Sequence, residues 1–260
     1  MPILKRPDAE LYYEVHGSGF PLLLFAPGGL RSRLANWRGS LADPTKPAAW
    51  MDPMVALADT FTVVGMDQRH AGASRAKVSA DHGWHTFAED HLALMDHLGF
   101  DKFHVMGGCI GGTFCLTLCK MAPDRVASAV LQNPIGNHEN KATWDDSIAG
   151  FRALTKERDP SVTDATIDSF GRNLFDAGFV FSVDRAFVRN CRTPMFLQPG
   201  TDVPHPARTS QEIAALAPDI EVQTDWRGPD HLAESIRRVK AFLLRNTPDR
   251  ATRAGEASAP

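Results

Sequence analysis

The sequence predicts an α/β fold in which helices flank a mostly parallel sheet. Short apolar runs alternate with helix-length segments along the chain, and several of these runs are almost continuously hydrophobic. Strands covered on both faces have that composition, and regular alternation with helices is typical of βαβ units. The length of 260 residues suffices to bury one sizeable core.

The alternation is interrupted once, and this interruption predicts the domain organisation. The predicted strands are 11–15, 21–26, 61–66, 103–106, 126–131, 194–197 and 220–222, and the predicted helices are 86–98, 110–121, 210–217 and 232–245. Segment 137–192 contains three helical patterns and no convincing strand, so we expect a helical lid inserted over one end of the sheet. Residues 1–136 and 193–246 would form the core. The polar segment 247–260, which contains Pro, Gly and Ala, reads as a flexible tail.

Composition and charge narrow the classes of partner. The net charge is −3, so there is no basic excess to neutralise a phosphate backbone, and we expect no nucleic-acid partner. No apolar run approaches the roughly 18 residues of a spanning helix, and the N-terminus lacks the apolar core of a signal peptide. The four cysteines form no CxxC pair. We therefore expect a cytoplasmic protein with reduced thiols and no membrane partner, and a homodimer is left open.

The most informative motif is Gly107-Gly108-Cys109-Ile110-Gly111, which follows a predicted strand and opens a predicted helix. A nucleophile on such a sharp turn needs small residues two positions to either side. The turn would present the Cys109 sulfur above the carboxyl end of the sheet and at a helix N-terminus. There the helix dipole favours the thiolate.

This motif resembles the elbow of the α/β-hydrolase family, with cysteine where most members have serine. The resemblance extends from about residue 11 to residue 244. The Gly-x-Cys-x-Gly turn with a further glycine, Gly112, is similar to that of dienelactone hydrolases, whereas the chain with its lid looks more like capped ester and lactone hydrolases. The resemblance implies an α/β-hydrolase core over 1–136 and 193–246.

The family's order of nucleophile, acid and base assigns the partners of Cys109. The acid loop follows the strand after the lid, where the chain reads Gln198-Pro199-Gly200-Thr201-Asp202. The other position known in relatives, 132–134, has no carboxylate. Asp202 is therefore the predicted acid.

The base is expected in the loop after the last strand, where His231 matches the family's Gly-x-x-His pattern. His205 is the rival histidine, but it follows Asp202 so closely that it reads as a turn residue that aligns the acid loop. Asp225 and Asp230 are rival acids that flank His231. The sequence thus predicts a catalytic triad of Cys109, Asp202 and His231.

Acyl chemistry also needs hydrogen-bond donors for the developing oxyanion. The backbone N–H of Ile110, directly after the cysteine, is one expected donor. The second should come from Pro27-Gly28-Gly29, where the family usually has His-Gly. Pro27 has no N–H to give, so the donor is Gly28 or Gly29, with Gly29 preferred.

Other residues suggest the shape of the pocket. His70 stands where the family's Asp-x-Arg-Gly-x-Gly-x-Ser loop usually has glycine, and it is a pocket-lining candidate. Arg31 could meet a substrate carboxylate, although a surface arginine is the simpler interpretation. Aromatic residues of the lid segment suggest an apolar pocket roof. Neither metal-ligand spacing nor a Gly-x-Gly-x-x-Gly fingerprint is found, so no metal or cofactor is expected.

These observations lead to three functional hypotheses. The first is a hydrolase that cleaves an ester, lactone or thioester with an apolar acyl group through an acyl-cysteine intermediate. The second is an acyltransferase that uses the same triad with water excluded by the lid. The third is a ligand receptor on the same fold, since a fold alone does not determine function.

Overall fold

The structure is a computed structural model that describes residues 2–39 and 49–248. In this part of the chain, nine strands form one sheet, with the order β1-β2-β4-β3-β6-β7-β8-β9, and β5 pairs with β2. The strands are β1 Ile3–Lys5, β2 Ala9–His16, β3 Phe20–Phe25, β4 Phe61–Met66, β5 Arg75–Ala76, β6 Phe103–Gly108, β7 Val126–Gln132, β8 Met195–Gln198 and β9 Ile220–Val222. Strands β3, β4 and β6–β9 are parallel, whereas β1, β2 and β5 pair antiparallel. The predicted mostly parallel sheet is confirmed.

Helices cover both faces of the sheet. They are α1 Pro53–Ala56, α2 Trp84–His97, α3 Ile110–Met121, α4 Lys141–Arg158, α5 Asp164–Phe175, α6 Arg185–Asn190, α7 Ala207–Leu216 and α8 Pro229–Arg245. Two short 3-10 helices, Gly29–Arg31 and Leu34–Trp37, follow β3. The seven predicted strands and four predicted core helices all correspond to observed elements. Sequence analysis missed β1, β5 and α1, which are too short to show a clear hydrophobic period.

Two hydrophobic clusters lie against the sheet. The larger one contains Phe25, Val105 and Phe114 together with the aromatic residues of the segment between β7 and β8. The smaller one contains Leu24, Met106 and Phe242 from alternate positions of the same strands and from α8. Alternate residues of a strand point to opposite faces, so a central parallel strand must be apolar throughout. All six residues of β3 are accordingly buried.

The register of the parallel strands brings their carboxyl ends to one edge of the sheet. Phe25 pairs with Gly107, Gly108 with Gln132, and Gln132 with Gln198. The segments that follow these strands therefore leave the sheet side by side. Ligand and catalytic sites of α/β sheets lie at this edge.

Helices α4, α5 and α6 occupy the segment predicted as a lid. Trp144 stacks on Phe175 at 5.3 Å between ring centroids and meets Phe181 edge-on at 4.9 Å. The Trp84 indole N–H donates to Leu174 O at 2.9 Å, which joins α5 to α2. These aromatic side chains are buried, so they hold the helices onto the core. A lid function stays a prediction. Of the predicted tail, 247–260, the residues after 248 lie outside the part of the chain that the structure describes.

Candidate active site

Cys109 occupies the turn between β6 and α3 in a backbone conformation that few residues adopt. Its φ is 59° and its ψ is −120°, and it is the residue that caps the N-terminus of α3. A non-glycine residue in such a conformation stores about 1–3 kcal/mol of strain, which is commonly found at functional sites. The backbone N–H of Cys109 is held by Gln132 O at 3.0 Å. The side chain is partly exposed at the carboxyl edge of the sheet.

The two glycines of the predicted elbow are required by this turn. A Cβ on Gly107 would lie 2.2 Å from the backbone of Gly111, and a Cβ on Gly111 would lie 2.4 Å from Phe25 O. Real Cβ atoms do not approach backbone atoms that closely, so neither position tolerates a side chain. The sterically determined turn that the sequence predicts at Gly-x-Cys-x-Gly is present.

Asp202 and His205 form a compact turn after β8. The backbone N–H of His205 donates to both the carbonyl oxygen and the Oδ1 atom of Asp202, each at 3.1 Å. The Nδ1 atom of the imidazole also bonds Asp202 Oδ1. Pro204 and Pro206 flank the histidine and restrict its backbone. A Cβ on Gly200 would lie 2.4 Å from the Cβ of His205, so the loop folds back only because residue 200 is glycine.

The other side of the His205 ring faces Cys109. The two side chains interact directly, and Nε2 is buried. The contact is looser than a well-aligned hydrogen bond, because Nε2 has no partner of normal geometry among the described residues. Nucleophile–base pairs are often loose in this way before substrate binds. The structure therefore brings Cys109, His205 and Asp202 together in that order.

The electrostatics of this group favour an ion pair. Burial raises the pKa of the Cys109 thiol, but the interaction with His205 and the backbone N–H groups of Gly28 and Ile110 outweigh it and hold that pKa below its ordinary value. Burial lowers the pKa of His205, but its contacts with Cys109 and Asp202 outweigh it and raise that pKa. Both shifts favour transfer of the thiol proton to the imidazole.

The backbone donors predicted for an oxyanion lie beside the same sulfur. The N–H groups of Ile110 and Gly28 both interact with the Cys109 thiol, which favours Gly28 over the preferred Gly29 as the second donor. Gly28 has φ 124°, and a Cβ there would lie 2.3 Å from the side-chain nitrogen of Asn36. That amide fixes the loop, because it donates to Pro27 O at 2.7 Å.

The structure does not bring His231 into this group, which corrects the geometry expected from the sequence. Its side chain is exposed, and its ring makes no hydrogen bond or ion pair with any described residue. The reason is local: Pro229, a favoured first residue of a helix, starts α8 three residues earlier than predicted. His231 thus belongs to the first turn of α8 and not to a loop reaching over the sheet.

The loop between β9 and α8, residues 223–228, instead supports the turn that contains Asp202 and His205. The Trp226 indole N–H donates to Pro199 O at 3.0 Å, and Arg227 Nη1 lies 3.8 Å from Asp202 Oδ2. The Arg227 guanidinium lies over the Trp226 ring at 4.6 Å. The second carboxylate oxygen of Asp202 therefore faces a cation.

Buried glutamines at the ends of three adjacent strands hold these loops in register. Gln132 Nε2 donates to Gln198 Oε1 at 2.5 Å, and Gln198 Nε2 donates to Gln223 Oε1 at 3.0 Å and to Ser235 Oγ at 2.7 Å. All three amides are at most 3% exposed. A buried polar network with its partners satisfied fixes one arrangement of the elements it joins. Sequence reasoning missed this network, whose signal is a glutamine at each strand end.

The remaining sequence candidates lie elsewhere. His70 and Arg31 line a cavity beside α4 and make no contact with Cys109, and Asp225 and Asp230 are exposed. Cys115 and Cys119 are buried on α3.

Within the described residues, no three or more His, Cys, Asp or Glu side chains cluster as a metal site, and none of the helices is long and apolar enough to cross a membrane.

Comparison with known proteins identifies the family to which the chain belongs. The family model described as alpha/beta hydrolase fold matches residues 21–192, which include Gly28, Cys109 and Ile110. The chain belongs to the alpha/beta hydrolase fold family. The matched segment ends before Asp202, His205 and His231, so the family match does not discriminate between the two histidines.

Curated relatives of this alpha/beta hydrolase cover part of the chain. It is 34% identical over 136 residues to the protein named "Putative carbamate hydrolase RutD" from Azorhizobium caulinodans, over 51% of this chain and 44% of that protein. The protein of the same name from Pseudomonas savastanoi is 25% identical over 75% of this chain and 79% of its own length. The first alignment thus spans less than half of that relative.

Solved structures share the fold over almost the whole chain. The enol-lactonase from Burkholderia xenovorans LB400 has a TM-score of 0.62 at 21% identity, covering 94% of this chain and 97% of its own. The meta-cleavage product hydrolase CumD from Pseudomonas fluorescens IP01 has a TM-score of 0.66 at 16% identity, covering 92% and 96%. At these identities the likeness shows the fold alone.

Proposed function

We propose that this alpha/beta hydrolase cleaves a carboxylic ester, lactone or thioester through an acyl-cysteine intermediate, with Cys109 as nucleophile, His205 as base and Asp202 as the orienting acid. The observation that carries the proposal is the contact of Cys109 with His205 on one side and with two backbone N–H groups on the other. A thiolate, a proton carrier and oxyanion donors in contact with each other are the parts that acyl transfer needs.

In the first half-reaction, the Cys109 thiolate attacks the acyl carbon, and the carbonyl oxygen becomes an oxyanion. The backbone N–H groups of Gly28 and Ile110 donate to that oxygen. The tetrahedral intermediate collapses, the bond to the leaving oxygen or sulfur breaks, and the His205 imidazolium protonates the leaving group. An acyl thioester on Cys109 and a neutral imidazole remain.

In the second half-reaction, neutral His205 takes a proton from water as its oxygen attacks the thioester carbon. The C–S bond then breaks, the acid leaves, and the Cys109 thiolate and the imidazolium are restored. Asp202 accepts the Nδ1–H throughout, which keeps Nε2 directed at the sulfur and stabilises the imidazolium. The reaction needs no metal or cofactor.

His205 replaces His231 in this proposal for reasons of geometry. A base must lie within hydrogen-bond reach of the proton it moves, directly or through one water. His205 contacts the nucleophile and the acid at once, whereas His231 contacts neither. Asp202 lies three residues before His205, so one loop supplies both the base and the acid that orients it. In the family these two residues come from separate loops.

A substrate panel tests the proposal. Ethyl and nitrophenyl esters of short aliphatic acids, five- and six-membered lactones and acyl thioesters are incubated with the native protein and with Cys109→Ala. Simple carbamates are included because the curated relatives bear that name. We expect hydrolysis of at least one class by the native protein and a loss of at least about a thousandfold in the variant.

Trapping of the intermediate identifies the nucleophile. Mass spectrometry after rapid acid quench should show an acyl group on the peptide that contains Cys109. Cys191 is the thiol to distinguish, because its hydrogen bond with Cys119 lowers its pKa to about 6 although it is only 5% exposed. Full hydrolysis in Cys109→Ala, or an acyl group on Cys191, contradicts the proposal. Transfer of the acyl group to an added alcohol or amine in preference to water would identify an acyltransferase.

A further inference from the structure

A cavity of about 200 Å³ lies beside α4. It is enclosed by α4, by the segment from His70 to Val78 and by the short helix Gly29–Arg31. Its wall is apolar and includes Leu30, Phe151 and Leu154. None of its lining residues belongs to the group around Cys109.

The rim of this cavity has positive charges without carboxylate partners. The Arg31 guanidinium makes no hydrogen bond or ion pair with any described residue. Arg75 donates only to backbone carbonyl groups of its own loop, at 2.9 and 2.7 Å. Arg158 donates to His70 O at 2.7 Å. The one carboxylate in the lining, Asp159, is bound by the N–H and hydroxyl groups of Ser161. Three guanidinium groups and one carboxylate, that of Asp159, therefore line the cavity, so positive charge is in excess there.

The lining of the cavity includes a buried imidazole, that of His70. The Nε2 atom of His70 is buried and makes no hydrogen bond within the described part of the chain. The ring is fixed edge-on against Phe151 at 5.5 Å and Phe170 at 6.0 Å. Burial among these groups and the nearby Arg69 charge lower the pKa of His70 to about 3, so the ring is neutral at neutral pH.

We propose that this cavity binds a small organic anion, a carboxylate on a short aliphatic body. Arg31, Arg75 and Arg158 bind the carboxylate at the rim, because guanidinium–carboxylate hydrogen bonds are among the strongest in proteins. The aliphatic body lies against Leu30, Phe151 and Leu154. A cavity of about 200 Å³ has room for a short acid such as hexanoate. The inference does not rest on the proposed reaction.

Titration calorimetry with hexanoate tests the inference on the full-length protein. We expect saturable binding of one hexanoate, at least tenfold weaker binding of hexanamide, which lacks the charge, and at least tenfold weaker binding of inorganic phosphate, which lacks the aliphatic body. Arg31→Gln should weaken hexanoate binding at least fivefold. Arg33→Gln is the matched control, because Arg33 lies two residues away, is exposed and does not line the cavity. It should leave the affinity unchanged.

Two further variants locate the bound anion. Leu154→Trp fills the cavity and should abolish hexanoate binding. If this variant does not fold, the exposed substitution Arg31→Gln still tests whether the anion binds here. Cys109→Ala should leave hexanoate binding intact, because Cys109 does not line this cavity. Equal losses in Arg31→Gln and Arg33→Gln would indicate a general charge effect, and loss in Cys109→Ala would place the anion at Cys109. Either result, or no binding of hexanoate, overturns the inference.

Discussion

Two adjacent loops at the carboxyl edge of the sheet differ in their contacts with Cys109, and the difference is not the one expected from the sequence. The loop after β8, residues 199–206, contains both Asp202 and His205, and it contacts Cys109. The loop after β9, residues 223–228, contributes no side chain to Cys109 and instead holds the first loop through Trp226 and Arg227. In the proposed mechanism, the base therefore lies on the same loop as the acid, and the loop after β9 only supports it.

The largest effect expected from this comparison separates the two histidines. His205→Ala should lower kcat/KM by about a thousandfold or more, since deletion of a triad base removes both proton transfers. His231→Ala should change kcat/KM by less than about twofold, because its ring is exposed and unbonded. Steady-state kinetics on the best substrate of the panel measures both. The reverse ranking would restore His231 as the base.

The next effect separates the candidate acids. Asp202→Asn should lower kcat by about a hundredfold, less than in serine triads, because a thiol needs less help to ionise. The control is Asp225→Asn in the second loop, where no contact of the carboxylate is observed, and it should keep near-native kcat. If both variants are equally active, Asp202 does not orient the base.

A smaller effect concerns the pH dependence of Cys109. The interaction with His205 lowers the pKa of the thiol, while burial alone raises it. Removal of the imidazole in His205→Gln should therefore move the midpoint of the alkylation rate with iodoacetamide to higher pH and slow alkylation at neutral pH. His231→Gln should leave the midpoint in place. Mapping of the alkylated peptide separates Cys109 from Cys191; an unmoved midpoint in His205→Gln would falsify the thiolate–imidazolium pairing.

The smallest effect tests the supporting role of the second loop. Trp226→Phe removes the hydrogen bond to Pro199 O and should cost about 1 kcal/mol of unfolding free energy, with a severalfold loss of kcat. Trp50→Phe is the matched control, since the Trp50 indole N–H has no partner among the described residues. Chemical denaturation and kinetics measure the two variants. Equal stability losses would show that the Pro199 bond contributes nothing specific.

The site could be predicted from sequence only where its geometry is local. The strand, Gly-x-Cys-x-Gly and helix lie within 19 residues, and steric exclusion at Gly107 and Gly111 leaves one way to fold them. The family resemblance implies Asp202 as the acid from its place after a strand. His205 follows Asp202 so closely that the sequence predicts only a turn residue there. An aspartate turn, however, brings residues i and i+3 together, and the flanking prolines were the signal for it.

The parallel sheet, the order of its elements and the turn at Cys109 can be predicted from the amino-acid sequence, because hydrophobic period and glycine sterics act over short distances along the chain. Which histidine contacts Cys109, which glycine of the Gly28-Gly29 pair directs its N–H to the thiol, and which arginines line one cavity are seen only in the folded chain. Those choices depend on distances between segments far apart in sequence. Such distances follow from strand register and from the buried glutamines that hold three loops in place.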